Sequence, residues 1–526
     1  MRKPIYTLLI IVSASLILGR IAAVDRVDNQ MLTNVRRAEI PKRLADKRER
    51  LETQGANPAA IDAEMERTRA ALEREASLGS PMFCANDRSR WCAIRALVEP
   101  DKRVVREVQN ADGSTRRVYV WYAIDNVQTE KGWDTIDMVK HKLPGDIKGD
   151  GYLYSSKPPL LVTLMAIPYY AIYHGSGGRL SLGNEQYLVV RVMIVLINLL
   201  PLIVSWVLLS RLVERFGTTD WGRIFTVAAF CFGTFASTFS VTINNHVPAY
   251  VCTVFAIYSA IRLLDGTRHR YRHAVSVGLF GSLLVACELP AALFAAAVVA
   301  YLLIRQTRVT AALTVPVCVA VAAAFLGTNY AAHHTVVPPY TFKGGETNWY
   351  SYTYEREGKV RQSYWDNPVG MDIGEESIRR YSFHSTVGHH GIFSLTPIWL
   401  LSFIGGACWS LGRRVGNVEQ QRLLRDLVTL TIVLSVVIFV FYMRQGQGER
   451  NYGGVVSGLR WTFWLMPLWI LMMIPASDML SKYRVGRTSA YLCVAASCFS
   501  AAYPVWNPWT MPWLYNLLFY YGFSVI

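Results

Sequence analysis

The sequence predicts a mainly α-helical, multi-pass membrane protein: a bundle of about eleven transmembrane helices with a large extracytoplasmic α/β loop after the first one. Three observations predict it. Apolar runs of about 15–22 residues recur along the 526-residue chain, near the length that crosses a bilayer. A polar, highly charged segment, 25–155, interrupts them after the first run. The short pieces 1–3, 211–223, 262–273, 305–308, 412–426 and 477–488 carry a net +12 of the formal +16, as cytoplasmic connections should. Membrane topology therefore accounts for most of the basic excess, and nucleic acid is not an expected partner.

Taken in order, the first span is about 5–23. Met1-Arg2-Lys3 before it and Ile21-Ala22-Ala23 at its end resemble a signal peptide, and a retained signal anchor fits equally well. Either way the next segment is exported. The expected organisation is 1–24 as first transmembrane helix, 25–186 as extracytoplasmic loop, 187–330 as transmembrane helices, 331–391 as a second extracytoplasmic loop, 392–503 as C-terminal transmembrane helices and 504–526 as an interfacial tail rich in Trp and Tyr. The expected location is the cytoplasmic (inner) membrane, with the N-terminus in the cytoplasm.

Inside the first loop, Ile40, Leu44 and Leu51, then Ile61, Met65 and Leu72, fall at helical spacing on either side of Gly55-Ala56-Asn57-Pro58. That pattern predicts a helical hairpin over 36–77, with Asn57 as N-cap and Pro58 at the first helical position. The β-type runs 103–108 and 117–123 flank Asn110-Ala111-Asp112-Gly113, a hairpin signal. The apolar stretch 160–173 is expected to lie along the membrane surface, which keeps Arg211, Arg215 and Arg223 on the cytoplasmic side. The remaining spans are expected near 187–210, 222–242, 247–264, 274–287, 289–304, 310–330, 392–411, 427–443, 461–476 and 489–503.

Seven of the nine cysteines lie in apolar runs and act there as small hydrophobes. Cys84 and Cys92 instead flank a polar stretch in an exported segment, where disulfides persist. A bridge between them is expected, the alternative being two free thiols. There is no Walker A sequence and no Rossmann glycine pattern, which argues against a built-in ATP motor.

The residues able to carry chemistry gather in the outer loops and at span ends. Asp125 ends the run Tyr122-Ala123-Ile124, and Asp134 and Asp137 stand in Gly132-Trp133-Asp134-Thr135-Ile136-Asp137. Tyr154 and Lys157 belong to Tyr154-Ser155-Ser156-Lys157-Pro158-Pro159-Leu160, at the boundary with membrane-type sequence. Asn244-Asn245-His246 stand at the outer end of two spans, Glu288 precedes Leu289-Pro290, and His384, His389 and His390 precede Gly391. Arg444, Arg450 and Arg460 surround Asn451-Tyr452-Gly453-Gly454, against the positive-inside trend. A carboxylate with several cations at a membrane surface suits one reaction. A sugar leaves a lipid phosphate and an acceptor hydroxyl takes its place. The carboxylate accepts the hydroxyl proton, and Lys and Arg stabilise the departing phosphate. Lys157 also has an ordinary role open to it, anchoring a helix end at the headgroups.

This order of features resembles the GT-C superfamily of integral-membrane glycosyltransferases, in particular its ArnT-like and RgtA/B/C/D-like branch. The elements that carry the resemblance are a first span, Asp125 in a large outer loop, the Lys157-Pro158-Pro159-Leu160 element, and Glu185 and Arg191 opening the next span. It covers roughly residues 1–265. The resemblance implies a polyprenyl-phosphate sugar donor, Asp125 as catalytic carboxylate and Lys157 as a contact for the carrier phosphate. Tyr154, Glu185, Arg191, His246, Glu288, His390, Arg450 and Arg460 are the further candidates for substrate contact. Two departures matter. The family's acidic motif is usually Asp-Glu, whereas here it is Asp125-Asn126, which leaves Asp134 and Asp137 open as the base. The residue before Lys-Pro-Pro is often acidic in the ArnT branch and is Ser156 here, which suggests a different donor or acceptor.

No cofactor is expected. Some members of the superfamily use a divalent ion at the acidic motif, and the histidine cluster is read as hydrogen-bonding rather than metal-binding. The acceptor is a lipid, a glycan or a protein hydroxyl. Two other classes remain open: a transporter or flippase for a lipid-linked or anionic substrate, and a non-catalytic scaffold whose outer loop binds a partner. A transporter would hold its key polar groups mid-span.

Overall fold

Apolar length dictates the architecture. The computed structural model describes residues 2–24, 30–76, 81–109, 112–146, 149–356, 358–411, 418–504 and 507–523. Helix α1 (Arg2–Ala22) is followed by α2 (Gln30–Thr53) and α3 (Pro58–Ala76), then α4 (Ala85–Val98), strands β1 (Val104–Gln109) and β2 (Thr115–Val120), and the single turn α5 (Asp125–Gln128). Strands β3 (Met138–His141) and β4 (Tyr152–Ser155) lead into α6 (Pro159–Gly175). The bundle continues with α7 (Gln186–Phe216), α8 (Asp220–Phe239), α9 (His246–Leu264), α10 (Arg270–Cys287), α11 (Leu289–Arg305) and α12 (Thr307–His333). A second loop carries β5 (Thr353–Arg356), β6 (Lys359–Gln362) and α13 (Ile378–Thr386). Then come α14 (Ile398–Ser410), α15 (Val418–Met443), α16 (Arg460–Leu480), α17 (Arg484–Ala502) and α18 (Trp513–Tyr520).

The chain is thus mainly helical and multi-pass in character, with seven helices long and apolar enough to cross a membrane: α1, α7, α8, α9, α12, α16 and the Arg422–Met443 part of α15. All eleven expected spans are helical, but four fall short of that mark. Helices α11 and α14 are apolar and shorter. Helix α10 opens on Arg270 and Arg272, and α17 opens on Arg484 and Arg487 and holds several Ser and Thr, which dilutes their apolar length. The 160–173 stretch forms α6, which packs on α4 and α12 and leaves Leu164, Ile167 and Tyr170 exposed along one stripe.

Short connections make successive helices alternate in direction. One end of the bundle gathers the start of α1 with the end of α7, where Arg2 Nε meets Glu214 at 2.9 Å, and the end of α16, where the Asp478 carboxylate accepts the Thr218 and Thr219 N–H groups at 2.7 and 2.9 Å. Helix α1 packs as part of the bundle, with Ile17 and Ile21 buried and Ser13 Oγ donating to the Cys231 carbonyl at 2.7 Å. Helix α16 is the most enclosed of the seven, with α8 and α9 next, whereas α12 is apolar and mostly uncovered, the pattern of a lipid-facing helix.

The helical hairpin forms as expected. The Asn57 side chain accepts the Ala59 N–H at 3.1 Å, with Pro58 first in the helix. Ile40, Leu44, Met65 and Leu72 make a small core separate from that of the bundle. Strands β1 and β2 pair antiparallel, Val104 opposite Val120 and Gln109 opposite Thr115; Asn110 and Ala111 lie outside the described residues. The antiparallel pair β3–β4, with Met138 opposite Ser155, was not anticipated.

The expected Cys84–Cys92 bridge is absent, and both thiols are free. Cys84 caps α4 and Cys92 lies inside it. Eight helical residues separate the two by about 12 Å along the axis, beyond the roughly 4.4–6.8 Å Cα spacing of a disulfide. Cys92 Sγ donates instead to the Trp133 carbonyl at 3.3 Å.

Helix α4 is buried despite three arginines because each finds acceptors. Arg95 binds Glu99 at 2.7 Å and Glu130 at 2.5 Å and lies 4.2 Å from the Trp133 ring centre. Tyr169 Oη on α6 donates to Glu99 at 2.5 Å, which locks α4 to α6. Removing the arginine leaves Glu99 buried and uncompensated. Arg95→Ala is expected to destabilise the protein by about 3–5 kcal/mol, read as a lower unfolding midpoint of the detergent-solubilised chain. An unchanged midpoint would show that the network contributes nothing.

Candidate functional site

A cavity of about 580 Å³ opens where α4, the start of α6, α9, α10, α15 and α16 converge, at the end of the bundle opposite Arg2. Its polar floor is made by Arg90, Lys157, Asn245, His246, Glu288 and Arg460. Its apolar walls include Leu293, Phe325, Val437 and Phe441. Tyr340, from the second loop, and Tyr442 also line it.

Local structure explains how each cation arrives. The Asp87 carboxylate accepts the backbone N–H groups of Phe83 and Cys84 at 2.9 and 3.0 Å and the Thr242 hydroxyl at 3.0 Å. This fixes the first turn of α4 against the bundle and sets Arg90, one turn on, over the cavity. Lys157 is delivered by the β3–β4 register. Pairing Met138 with Ser155 brings Asp137 opposite Ser156, whose N–H donates to the Asp137 carbonyl at 3.2 Å. Ser89 Oγ donates to the same carbonyl at 2.6 Å. Lys157 Nζ then meets Asp137 Oδ1 at 3.3 Å, and Pro158-Pro159 start α6 directly behind it. Arg460 begins α16. Its Nη2 donates to the Gly453 carbonyl at 3.0 Å, and its guanidinium lies 4.7 Å from the Trp509 ring centre. Gly453 has φ +92°, and a Cβ there would stand 3.0 Å from Arg460 Nε, so only glycine admits this approach.

The floor is one hydrogen-bonded chain. Arg90 Nη2 donates to Asn245 Oδ1 at 2.6 Å, and Asn245 Nδ2 donates to Glu288 Oε1 at 2.7 Å. His246 Nδ1 lies 2.5 Å from the same oxygen, and Arg460 Nη1 lies 3.2 Å from His246 Nε2. Arginine only donates, so Nε2 must accept, which puts the ring hydrogen on Nδ1, pointing at Glu288. Among the described residues, neither Arg90 nor Arg460 is paired with a carboxylate. Arg90 is only 3% exposed. Burial pulls its guanidinium down to about 10, with the Arg460 charge adding to the effect, so it stays protonated at neutral pH. Burial also draws Lys157 below its usual range, against the pull of Asp137. Glu449 also lines the cavity and is matched by Lys343 at 2.5 Å, so the three cations facing Asp137 and Glu288 leave surplus positive charge there.

A second cavity of about 420 Å³ adjoins the first and shares Val285, Ala286, Leu289 and Phe325 with it. Its lining is almost wholly apolar and comes from α10, α11 and the uncovered helix α12. A charged chamber thus continues into an apolar slot.

Of the sequence candidates, Lys157, His246, Glu288 and Arg460 come together here, with Asp137 against Lys157. Asp125, expected to share the cavity with Lys157, is not among its lining residues. Its Oδ2 accepts the Leu153 N–H at 3.0 Å, which braces β4. Asp134 pairs with Arg356 at 3.3 Å. Burial would raise Asp134, but the charges of Arg356 and Arg88 outweigh it and hold the carboxyl low. Tyr154 is buried in another cluster, stacked on His141 at 4.6 Å with His333 edge-on at 5.0 Å. Glu185 is exposed before α7, and Arg191 donates to the Val24 carbonyl at 2.9 Å. His390 stacks on Tyr452 and lies 2.5 Å from His389 through their Nδ1 atoms, and burial holds its ring neutral. Arg450 donates to the carbonyls of Glu375, Glu376 and Gln445, clamping two loops. Neither lines the cavity. Sequence reasoning missed Arg90, whose only signal was an arginine beside the apolar run Trp91–Ile94. No group of three or more His, Cys, Asp or Glu suited to a metal ion occurs among the described residues.

Compared with family models, curated proteins and solved structures, the chain matches none.

Burial pushes the Asp125 carboxyl up to about 6, with the Leu153 N–H opposing. The fold therefore favours the protonated form. Its contribution to stability is full below the unfolded value of about 3.9 and is lost as pH rises through about 6. The unfolding midpoint of the wild type is expected to fall relative to Asp125→Asn between about pH 4 and pH 6. Parallel midpoints across that window would show that Asp125 ionises freely.

Proposed function

We propose that the chain is an integral-membrane glycosyltransferase of the GT-C type, moving a sugar from a polyprenyl-phosphate donor to an acceptor hydroxyl on the extracytoplasmic face. The observation that carries this reading is the joined pair of cavities, one ending on Arg90, Lys157 and Arg460, the other an apolar slot beside a lipid-facing helix. A polyprenyl phosphate has that form: an anionic head on a long apolar chain. The slot takes the first isoprene units and the three cations take the phosphate. Lys157 exchanges part of its pairing with Asp137 for the phosphate oxygens. Arg90 and Arg460, which have no carboxylate of their own, gain one anionic partner between them.

The same cations supply the catalytic term. Charge accumulates on the phosphate as the bond to the sugar breaks, and donors already fixed around it stabilise that charge without reorganising. The sugar, on the far side of the phosphate, is left beside His246, Glu288 and Tyr340. The extracytoplasmic placement rests on the basic connections at the opposite end of the bundle. Transport is the weaker reading, because the charged groups stand at helix ends rather than at mid-depth.

Lys157→Ala is expected to raise the donor KM and lower kcat together, with a combined loss of about 10²–10³, because a phosphate cation acts in both ground and transition states. The assay is release of polyprenyl phosphate from a panel of polyprenyl-phosphate hexoses and pentoses by the reconstituted chain. Wild-type protein that releases none from any donor overturns the reading, and so does a Lys157→Ala variant with unaltered kinetics.

A further inference from the structure

Glu288 stands in the cavity with its two oxygens in different situations. Oε1 is fully committed, accepting from Asn245 Nδ2 at 2.7 Å and from His246 Nδ1 at 2.5 Å. Oε2 has no hydrogen-bond partner among the described residues. The carboxylate lines the chamber beside two guanidinium groups. The remaining carboxylates are less free to act there. Asp137 is tied to Lys157, Glu449 lines the chamber but is paired with Lys343 at 2.5 Å, and Asp125 and Asp134 do not line it.

The hydrogen-bond pattern makes Oε2 the place where a proton can come and go. Arg460 forces His246 to present Nδ1–H to Oε1, and Arg90 forces Asn245 to present its amide N–H to the same atom. Both donors persist whether Glu288 is ionised or protonated on Oε2, because a carbonyl oxygen accepts as a carboxylate oxygen does. A proton can therefore be taken up with no rearrangement of the floor, which is the condition for a preorganised base.

Building on the glycosyl-transfer reading, we infer that Glu288 is the general base that activates the acceptor hydroxyl, with His246 and Asn245 as its positioning residues. The acceptor O–H gives its proton to Glu288 Oε2, and the oxygen forms a bond to the anomeric carbon. The bond from that carbon to the phosphate oxygen breaks, and its electron pair leaves on the polyprenyl phosphate, held by Arg90, Lys157 and Arg460. The proton on Glu288 passes to solvent after the product departs, so atoms and charge balance with no further reactant.

The test uses the full-length chain in liposomes, a polyprenyl-phosphate sugar that the wild type cleaves, and a total lipid and glycan extract as acceptor. Glu288→Gln keeps an oxygen for the Asn245 and His246 donors and removes the accepting Oε2. It is expected to lower kcat by about 10²–10⁴, leave donor binding and the unfolding midpoint unchanged, and abolish the acid limb of the pH–rate profile. Glu288→Asp is expected to recover part of the rate and to restore that limb. His246→Asn is expected to shift the limb without removing it. Wild-type turnover in Glu288→Gln overturns the assignment. So does loss of donor binding in step with turnover, which would make Glu288 a strut of the floor. A wild type that cleaves no donor at all overturns the glycosyltransferase reading itself, and the role of Glu288 with it.

Discussion

The run of hydrogen bonds from Arg90 through Asn245, Glu288 and His246 to Arg460 is the interaction on which the rest of the site depends. It crosses four separate stretches of chain: α4 in the first loop, the start of α9, the end of α10 and the start of α16. The loop region is thereby registered against the helix ends, and the polarity of every bond is fixed from its arginine termini inward. Arginine has no acceptor, so neither Asn245 nor His246 can flip without losing a bond at each side. A chain satisfied in only one orientation is rigid, and rigidity is what a phosphate cage and a proton acceptor both require.

The surplus positive charge of the chamber follows from what the two guanidinium groups lack. Buried cations are ordinarily matched with carboxylates, as Arg95 is with Glu99 and Glu130 in the same helix as Arg90. Arg90, five residues before Arg95, is given only neutral acceptors. The fold tolerates this because α4 is anchored independently, by the Asp87 cap and by the Arg95 network. Stability is thus invested at the ends of α4 and an electrostatic deficit is left at its centre.

Much of the fold was legible in the sequence, because spans and hairpins are local. Apolar length announced the bundle helices, and Asn57-Pro58 marked the start of α3 at the right residue. The β1–β2 hairpin was visible in its turn chemistry. What was not legible is what depends on register or packing. Strands β3 and β4 are four residues each and lie far from a simple turn signal, yet their pairing is what brings Asp137 to Lys157. Asp125 drew attention by its place in the order of motifs, but its side chain turns to the Leu153 backbone. Cys84 and Cys92 suggested a bridge that a continuous helix between them forbids. Arg90 sits in a stretch whose charge reads as a solvated face, and its burial is a tertiary fact. The four candidates that did converge, Lys157, His246, Glu288 and Arg460, share one legible trait: each stands at the junction of a span or boundary helix with its connection.

The three-cation cage has a consequence for the rhythm of turnover. If the chain transfers a sugar from a polyprenyl phosphate, as proposed, that phosphodiester enters with a single negative charge, and the polyprenyl phosphate left behind is a monoester carrying about 1.5–2 negative charges at neutral pH. Arg90, Lys157 and Arg460 then grip the spent carrier more strongly than the loaded one. The same charges that hasten bond cleavage delay the carrier's escape along the apolar slot. On that reading the enzyme would be slowed by its own exhausted carrier, and its pace would be set by how fast the membrane clears that lipid away.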